Sequence, residues 1–261
     1  MRFLALAASA LLLVAAGCGS KEGASPATGA STTEENPPPA TATVPETSPA
    51  VVALYFLREG KVGLARRGVV AGAKIGTAAL EALLEGPTAK DRQAGLVTAI
   101  PSGTRLKRLA IAEGTAAASF SRELPPEAAA QVVYTLTQFP TVRRVEVGPG
   151  PPVRRADLEE LTPPILVESP APWEQASSPL RITGTANTFE ATFNVEVRDE
   201  KGGVLGERFV TATSGSGTRG TFDASVKFSV ERPGPGRLVV FELSAEDGSR
   251  IHEVEIPLQL R

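Results

Sequence analysis

From Phe189 to Val197 every second residue is apolar: Phe189, Ala191, Phe193, Val195 and Val197 interleave with Glu190, Thr192, Asn194 and Glu196. The pattern returns from Phe222 to Val230, where Ala224, Val226 and Phe228 interleave with Asp223, Ser225, Lys227 and Ser229. A period of two is the repeat of a β-strand and cannot fill one face of a helix, whose repeat is 3.6 residues. The second half of the chain is therefore committed to sheet with one dry and one wet face. Further strand candidates lie at 165–168, 180–186, 204–213, 237–243 and 249–260. Turn signals separate several of them, at Lys201-Gly202-Gly203, Pro233-Gly234-Pro235-Gly236 and Asp247-Gly248. Seven strands in about 100 residues predict an all-β sandwich over 164–261, of immunoglobulin type in its architecture. It has no disulfide, because Cys18 is the only cysteine.

The first half reads differently. Val51-Val52-Ala53-Leu54-Tyr55-Phe56-Leu57 is an unbroken apolar run closed by Arg58-Glu59-Gly60, which suits a strand buried on both faces. A second strand follows through Val70. Leu80, Leu83 and Leu84, beside Ala79, form a helical stripe over 75–85 that Gly86-Pro87 ends. Strands at 105–112 and 116–120 meet across Glu113-Gly114. Pro125-Pro126-Glu127 then opens a second helix, with Val132, Val133, Leu136 and Phe139 on one face, before a closing strand at Val142, Val145 and Val147. The order predicts an α+β domain over 50–150, a mixed sheet carrying two helices. Residues 151–163 read as an interdomain linker in which Glu159-Glu160, beside Arg154-Arg155, are solvated.

Motifs in the right order sharpen both halves. Tyr55-Phe56, Leu83-Leu84-Glu85-Gly86-Pro87-Thr88, Ile100-Pro101-Ser102-Gly103-Thr104-Arg105-Leu106 and Val133-Tyr134-Thr135-Leu136-Thr137-Gln138-Phe139 resemble the successive signatures of the sporulation and spore germination (GerMN) domain. At its end Val147-Gly148-Pro149-Gly150 departs from the Asp-Gly turn of that pattern. Ser169-Pro170, Ser178-Pro179-Leu180, Gly184-Thr185-Ala186, Phe189-Glu190-Ala191-Thr192, Gly220-Thr221-Phe222 and Phe241-Glu242-Leu243-Ser244 resemble the immunoglobulin-like domain of bacterial spore germination. The resemblance implies non-catalytic domains of extracytoplasmic proteins. Read without it, Tyr134, Thr135 and Thr137 are a helix face meeting a sheet, and Gly86, Pro87 and Gly103 are turn residues.

The amino terminus supplies an address. Arg2 is followed by an apolar stretch to Ala16 and by small residues, the layout of a signal peptide over 1–17. Spanning a bilayer takes roughly 20 apolar residues, more than this stretch holds. Ala15-Ala16-Gly17-Cys18 resembles the bacterial lipobox, with Ala15 where an aliphatic residue is usual. The resemblance implies that Ala15, Ala16 and Gly17 are read by the signal peptidase and that Cys18 is acylated. Residues 19–49 concentrate Ser, Thr, Ala, Glu and Pro, without an aromatic residue, and read as a disordered tether whose coil spans roughly 30 Å.

Sites for chemistry are scarce. Gly215-Ser216-Gly217-Thr218-Arg219-Gly220 has the spacing of a dinucleotide loop, but a strand pattern follows where a helix is needed, so it reads as a flexible hairpin loop and no nucleotide is expected. His252 is the single histidine; its parity places it at the end of the apolar row Val254, Ile256, Leu258 and Leu260, and a triad with Ser249 and Asp247 is disfavoured by their closeness along one hairpin. Trp173 reads as covering one end of the sandwich more readily than as an anchor for a partner, and Arg66-Arg67 and Arg143-Arg144 as solvated strand ends more readily than as contacts for anionic lipid or an acidic partner. With 21% charged residues and a net charge of -2, nucleic acid is not expected as a partner. No catalytic residue, metal or cofactor is expected. The expectation is a lipid-anchored interaction module on the outer face of the cell membrane, for envelope proteins or cell wall. A cell-wall-acting enzyme and a solute-binding lipoprotein are the alternatives.

Overall fold

The computed structural model describes residues 48–72 and 74–261. Residues 1–47, which hold the segment read as a signal peptide, Cys18 and nearly all of the segment read as a tether, lie outside them; the last two residues of that tether, Ser48 and Pro49, instead open the first strand. The region 43–261 forms one compact unit, and no helix among the described residues is long and apolar enough to cross a membrane.

β1 (Ser48–Arg58) and β2 (Lys61–Ala71) form a long antiparallel hairpin. Its turn puts Glu59 (φ 51°) and Gly60 (φ 76°) in the left-handed region that a tight two-residue hairpin demands. Then come α1 (Ile75–Leu84), α2 (Ala89–Gln93), β3 (Leu106–Ala112), β4 (Thr115–Phe120), α3 (Pro126–Leu136) and β5 (Arg144–Val147). The mixed sheet is present: β3 and β4 run antiparallel, and β4 and β5 parallel. It does not include the hairpin, however, so the expected single sheet is two. The short α2 is an addition, nucleated by a reciprocal cap in which Thr88 accepts from Asp91 and Asp91 from Thr88.

Side chains of the second large helix take the place of a neighbouring strand. Residues 53, 55 and 57 of β1 direct their backbone groups away from β2, an edge that invites unwanted pairing unless it is covered. Gln138 accepts from the Ala53 N–H (2.8 Å) and donates to its carbonyl (2.7 Å). Thr135 accepts from the Tyr55 N–H (3.1 Å), and Gln131 donates to the Tyr55 carbonyl (3.1 Å) while accepting from Ala99 (2.8 Å). Leu57 and Val97 exchange both bonds at 2.8 Å. Buried backbone groups must be paired, and this explains why polar residues interrupt the apolar face of α3.

Alternation along β1 serves two cores, as the unbroken apolar run requires. Val52, Leu54 and Phe56 pack with α1 and α3, whereas Ala53, Tyr55 and Leu57 join Val62, Leu64, Tyr134, Leu166 and Ala171. The second cluster contains Leu166 from the β-sandwich, so one face of the hairpin is an interdomain surface.

The sandwich is built from β6 (Ile165–Ser169), β7 (Gln175–Ala176), β8 (Leu180–Ala186), β9 (Thr192–Asp199), β10 (Val204–Thr211), β11 (Gly220–Val226), β12 (Gly234–Leu243) and β13 (Arg250–Leu260). One sheet runs β10-β9-β12-β13-β7 and the other β11-β8-β6. Phe193, Val195 and Val197 meet Phe222, Ala224 and Val226 in a common core, as the alternation predicts. Several local expectations are corrected. The row beginning at Phe189 starts late, because Glu190 (φ 53°) and Ala191 (φ 60°) turn the chain before Thr192 and leave Phe189 58% exposed. Gly234 and Gly236 belong to β12 instead of a turn: a Cβ on Gly236 would stand 2.6 Å from the Arg198 carbonyl. A bulge between Val240 and Glu242 puts His252 at φ 54° and removes it from the apolar row.

Candidate functional site

The residues with the most elaborate polar surroundings lie where the two domains meet. Tyr55 projects from the interdomain face of β1 and Tyr134 from α3, their ring centroids 5.2 Å apart and tilted by 50°. Over both rings lies the guanidinium of Arg155, 5.0 Å from the Tyr55 centroid and 4.6 Å from that of Tyr134. Arg155 opens a 3₁₀ turn, Arg155–Leu161, in the segment that joins the domains. Stacking leaves its in-plane donors free. They reach the Thr137 hydroxyl (2.7 Å), the Tyr134 carbonyl (3.0 Å), the Tyr55 hydroxyl (3.3 Å) and, from β6, the Glu168 carboxylate (2.7 Å). The Tyr55 hydroxyl also donates to Glu168.

Thr162 gives its proton to the Leu158 carbonyl (2.8 Å), so its hydroxyl oxygen accepts from Tyr134 (2.6 Å). Burial pushes the Tyr55 phenol well above its ordinary range against the positive charge of Arg155, and raises that of Tyr134 against its hydrogen bond to Thr162 and the same charge. For Arg155 burial works against the charge, but Tyr55 and Glu168 outweigh it and the net shift is upward. Such a constellation holds no free base or nucleophile. It is a weld that orients one domain on the other.

Further bonds cross the same boundary. Arg66 pairs with Glu174 (2.8 Å) and donates to the Glu168 carbonyl (3.2 Å), and the Trp173 indole donates to the Lys90 carbonyl (2.9 Å). Glu159 takes two bonds from Arg219, at 2.9 Å each, and one from Asn187 (2.7 Å). These hydrogen bonds, Arg219 first, hold its carboxyl below the ordinary glutamate value.

Beside the weld opens a cleft of about 810 Å³, lined by Arg58, Lys61 and Leu64 on one side and by Pro164, Arg237 and Glu255 on the other. Arg58 donates to the Ala94 carbonyl (3.1 and 2.9 Å), and burial lowers its pKa. Arg237 pairs with Glu255 (3.2 Å). The mixed charge and apolar floor suit a small polar ligand or a peptide segment.

Residues singled out in the sequence fare unevenly. Cys18, Ala15, Ala16 and Gly17 lie outside the described residues. His252 turns to Glu242 (2.9 Å), whose carboxylate also takes the Phe189 N–H (2.7 Å), while Asp247 accepts from the Ser249 N–H (3.0 Å) within its turn. The imagined triad is thus dispersed. Trp173 bridges the domains instead of merely covering the sandwich. Arg66 and Arg67 lie within β2 instead of at a strand end, and both are ion-paired, the latter with Asp91 at 2.8 Å, although Arg66 stays exposed. Glu159 is likewise no solvated linker residue. The glycine-rich loop is fixed in place: a Cβ on Gly215 would stand 2.5 Å from Ala191, and Arg219 holds the interdomain segment. Among the described residues no group of three or more His, Cys, Asp or Glu side chains could hold a metal ion. Sequence reasoning missed Arg155 and Glu168 as partners of the tyrosines; the only local cue was the arginine pair Arg154-Arg155 in the interdomain stretch.

The family model for "Sporulation and spore germination" matches residues 53–147, and that for "Immunoglobulin-like domain of bacterial spore germination" matches 164–249. The two matched spans are a GerMN-type domain and an immunoglobulin-like domain. Neither description is that of an enzyme. The junction around Arg155 thus joins a GerMN domain to its immunoglobulin-like companion, and 155–161 falls between the two matched spans.

No curated protein matches the chain. Among solved structures, the tandem GerMN domains of the sporulation protein GerM from Bacillus subtilis are 23% identical over 39% of this chain and 38% of that one, with a TM-score of 0.31. The chain therefore spans well under half of that relative. The first GerMN domain of the same protein is 26% identical over 38% of this chain and 84% of that one (TM-score 0.32). A putative lipoprotein from Clostridium perfringens is 18% identical over 44% and 93% (TM-score 0.28).

Proposed function

We propose that this protein is an extracytoplasmic lipoprotein, freed of residues 1–17 and anchored through Cys18, that acts without catalysis as an interaction module of a germination-type envelope assembly. The observation that carries the reading is the Arg155 weld. It joins two domains of non-enzymatic description into one compact unit and uses the most perturbed ionisable groups of the junction for structure. Two domains joined in one compact unit present a composite surface, which suits docking to envelope proteins or cell wall. Fractionation of cells expressing the full chain tests the anchor: wild type sediments with membranes, and Cys18→Ser remains unprocessed or is released. Affinity capture from solubilised envelopes tests the role. A partner retained by wild type and lost when Arg155→Ala loosens the junction supports it, and no partner above an unrelated lipoprotein overturns it.

The cleft favours solute binding as a second reading. A thermal shift above about 2 °C with a small ligand, abolished by Arg58→Ala, would select it over the docking role.

A further inference from the structure

The three-stranded sheet of the GerMN domain packs one face on the helices and leaves the other open. Ala116, Ala118 and Phe120 of β4 are buried in the core, so Thr115, Ala117 and Ser119 point outward. Cross-strand partners share a face. Arg108 pairs with Ser119 and Arg144 with Thr115, which sets both arginines on the outer face. Val145 and Val153 exchange backbone bonds at 2.8 Å, so the next pair along places Arg154 directly across from Arg144. Between these cations lie only Ala110, Ala112, Thr115, Ala117 and Ser119 and a single acid, Glu146.

Like charges directly across a ladder repel. Arg144 and Arg154 nevertheless line one shallow depression of about 440 Å³ with Pro152 and Asp157. Among the described residues neither guanidinium has a carboxylate within ion-pair distance. Asp157 accepts from the Arg154 backbone N–H (2.8 Å), and Arg144 donates through Nε to Thr115 (2.8 Å), which leaves the ends of both guanidinium groups free. The imbalance is domain-wide: 48–150 carries 13 basic against 8 acidic residues, and 151–261 carries 12 against 17.

We infer that this face docks on anionic lipid headgroups, with a phosphate seated between Arg144 and Arg154. A plane can approach all three arginines at once, because nothing larger than Ser or Thr, apart from Glu146, stands between them. Charge complementarity supplies the attraction, and the opposite charge of the second domain turns that domain away from the surface. The inference deepens the anchored reading and rests on it only for keeping the face near a membrane.

Residues 43–261, compact and with their own cores, can be made without a lipid and floated with vesicles of equal parts phosphatidylglycerol and phosphatidylcholine. Binding is expected on these vesicles, not on phosphatidylcholine alone, and falls as salt rises. Arg144→Gln with Arg154→Gln weakens partitioning about 30-fold, from about 1 kcal/mol per cation near the surface, with unchanged melting. Arg208→Gln with Lys227→Gln in the other domain leaves it unchanged. Equal binding to phosphatidylcholine, full binding by the Arg144/Arg154 variant, or tighter binding to duplex nucleic acid overturns the proposal. Failure of the anchor shows separately, in the Cys18→Ser fractionation.

Discussion

Arg155 and Glu168 meet at 2.7 Å across the boundary between the two domains, with the Arg155 side chain only 27% exposed. Tyr55 and Tyr134, which stack beneath the guanidinium, come from the GerMN domain, Glu168 comes from the sandwich, and Arg155 comes from the segment between them. Neither domain makes the site alone, so the stability of the junction reports how firmly the domains are joined.

Arg155→Ala removes the charge partner of Glu168 and the stacked cation together. A loss of about 2–3 kcal/mol is expected, below the range for fully buried pairs because the group is partly exposed. Trp173 is the single tryptophan and donates across the boundary, so its emission shifts in step with the loss. Arg155→Lys, unable to form the planar fork, recovers less than half. A variant with wild-type melting and emission would show that the weld is not what joins the domains.

Both tyrosines of the chain are buried at this junction, and both phenols are pushed up from the ordinary 10.0. A raised folded pKa contributes stability that is complete below pH 10 and lost as pH climbs through the folded values. Ultraviolet titration should therefore show less tyrosinate near pH 10 than two free tyrosines give, and the remainder should appear with the loss of far-ultraviolet circular dichroism. Ordinary titration of either tyrosine in the folded protein would contradict the buried geometry.

Gln131 is fully buried and serves two backbone groups of different strands. Gln131→Leu keeps the volume but orphans the Tyr55 carbonyl and the Ala99 N–H, at about 2 kcal/mol or more. Gln138→Ala, nearer solvent, costs about 1 kcal/mol and speeds exchange of the Ala53 amide in hydrogen-exchange measurements. If that amide exchanges no faster, the helix does not guard the edge of β1.

Two strand glycines should respond oppositely. A Cβ on Gly184 would stand 2.0 Å from the Leu166 carbonyl, whereas Gly68 has nothing within 4 Å. Gly184→Ala is expected to destabilise by about 3 kcal/mol or to prevent folding, because the obstacle is backbone, and Gly68→Ala to lie within about 0.5 kcal/mol of wild type. Equal chemical denaturation midpoints would refute the close approach of β6 and β8.

Glu159, held below the ordinary 4.5 by Arg219 and Asn187, stabilises the fold above that pH and ceases to do so as pH falls through its lowered value. Glu159→Gln should lower stability at pH 7 while barely changing it in acid below the lowered pKa, so that the acid limb of the stability curve flattens. An unchanged acid limb would place the acid sensitivity elsewhere.

Much of this architecture was legible along the chain. The alternation through Phe193 and Val197 and through Phe222 and Val226 marked buried faces, and Gly86-Pro87 marked a helix end, because such signals arise between residues a few positions apart. Local periodicity misled where backbone geometry intervened: His252 kept its parity with Val254 in sequence but lost it to a bulge. The Gln138 and Gln131 bonds were not legible, since a polar residue on an apolar helix face has no partner until the strand edge arrives.

The sequence by itself determined two domains of different class and their dry faces. Only the tertiary structure decided that Arg155 stacks on Tyr55, 100 positions away, that Glu168 answers it, and that Arg144 and Arg154 stand side by side. The physical reason is range. Periodicity is the record of each residue's own relation to water and its near neighbours, whereas pairing between distant charges depends on chain closure, which no short pattern encodes.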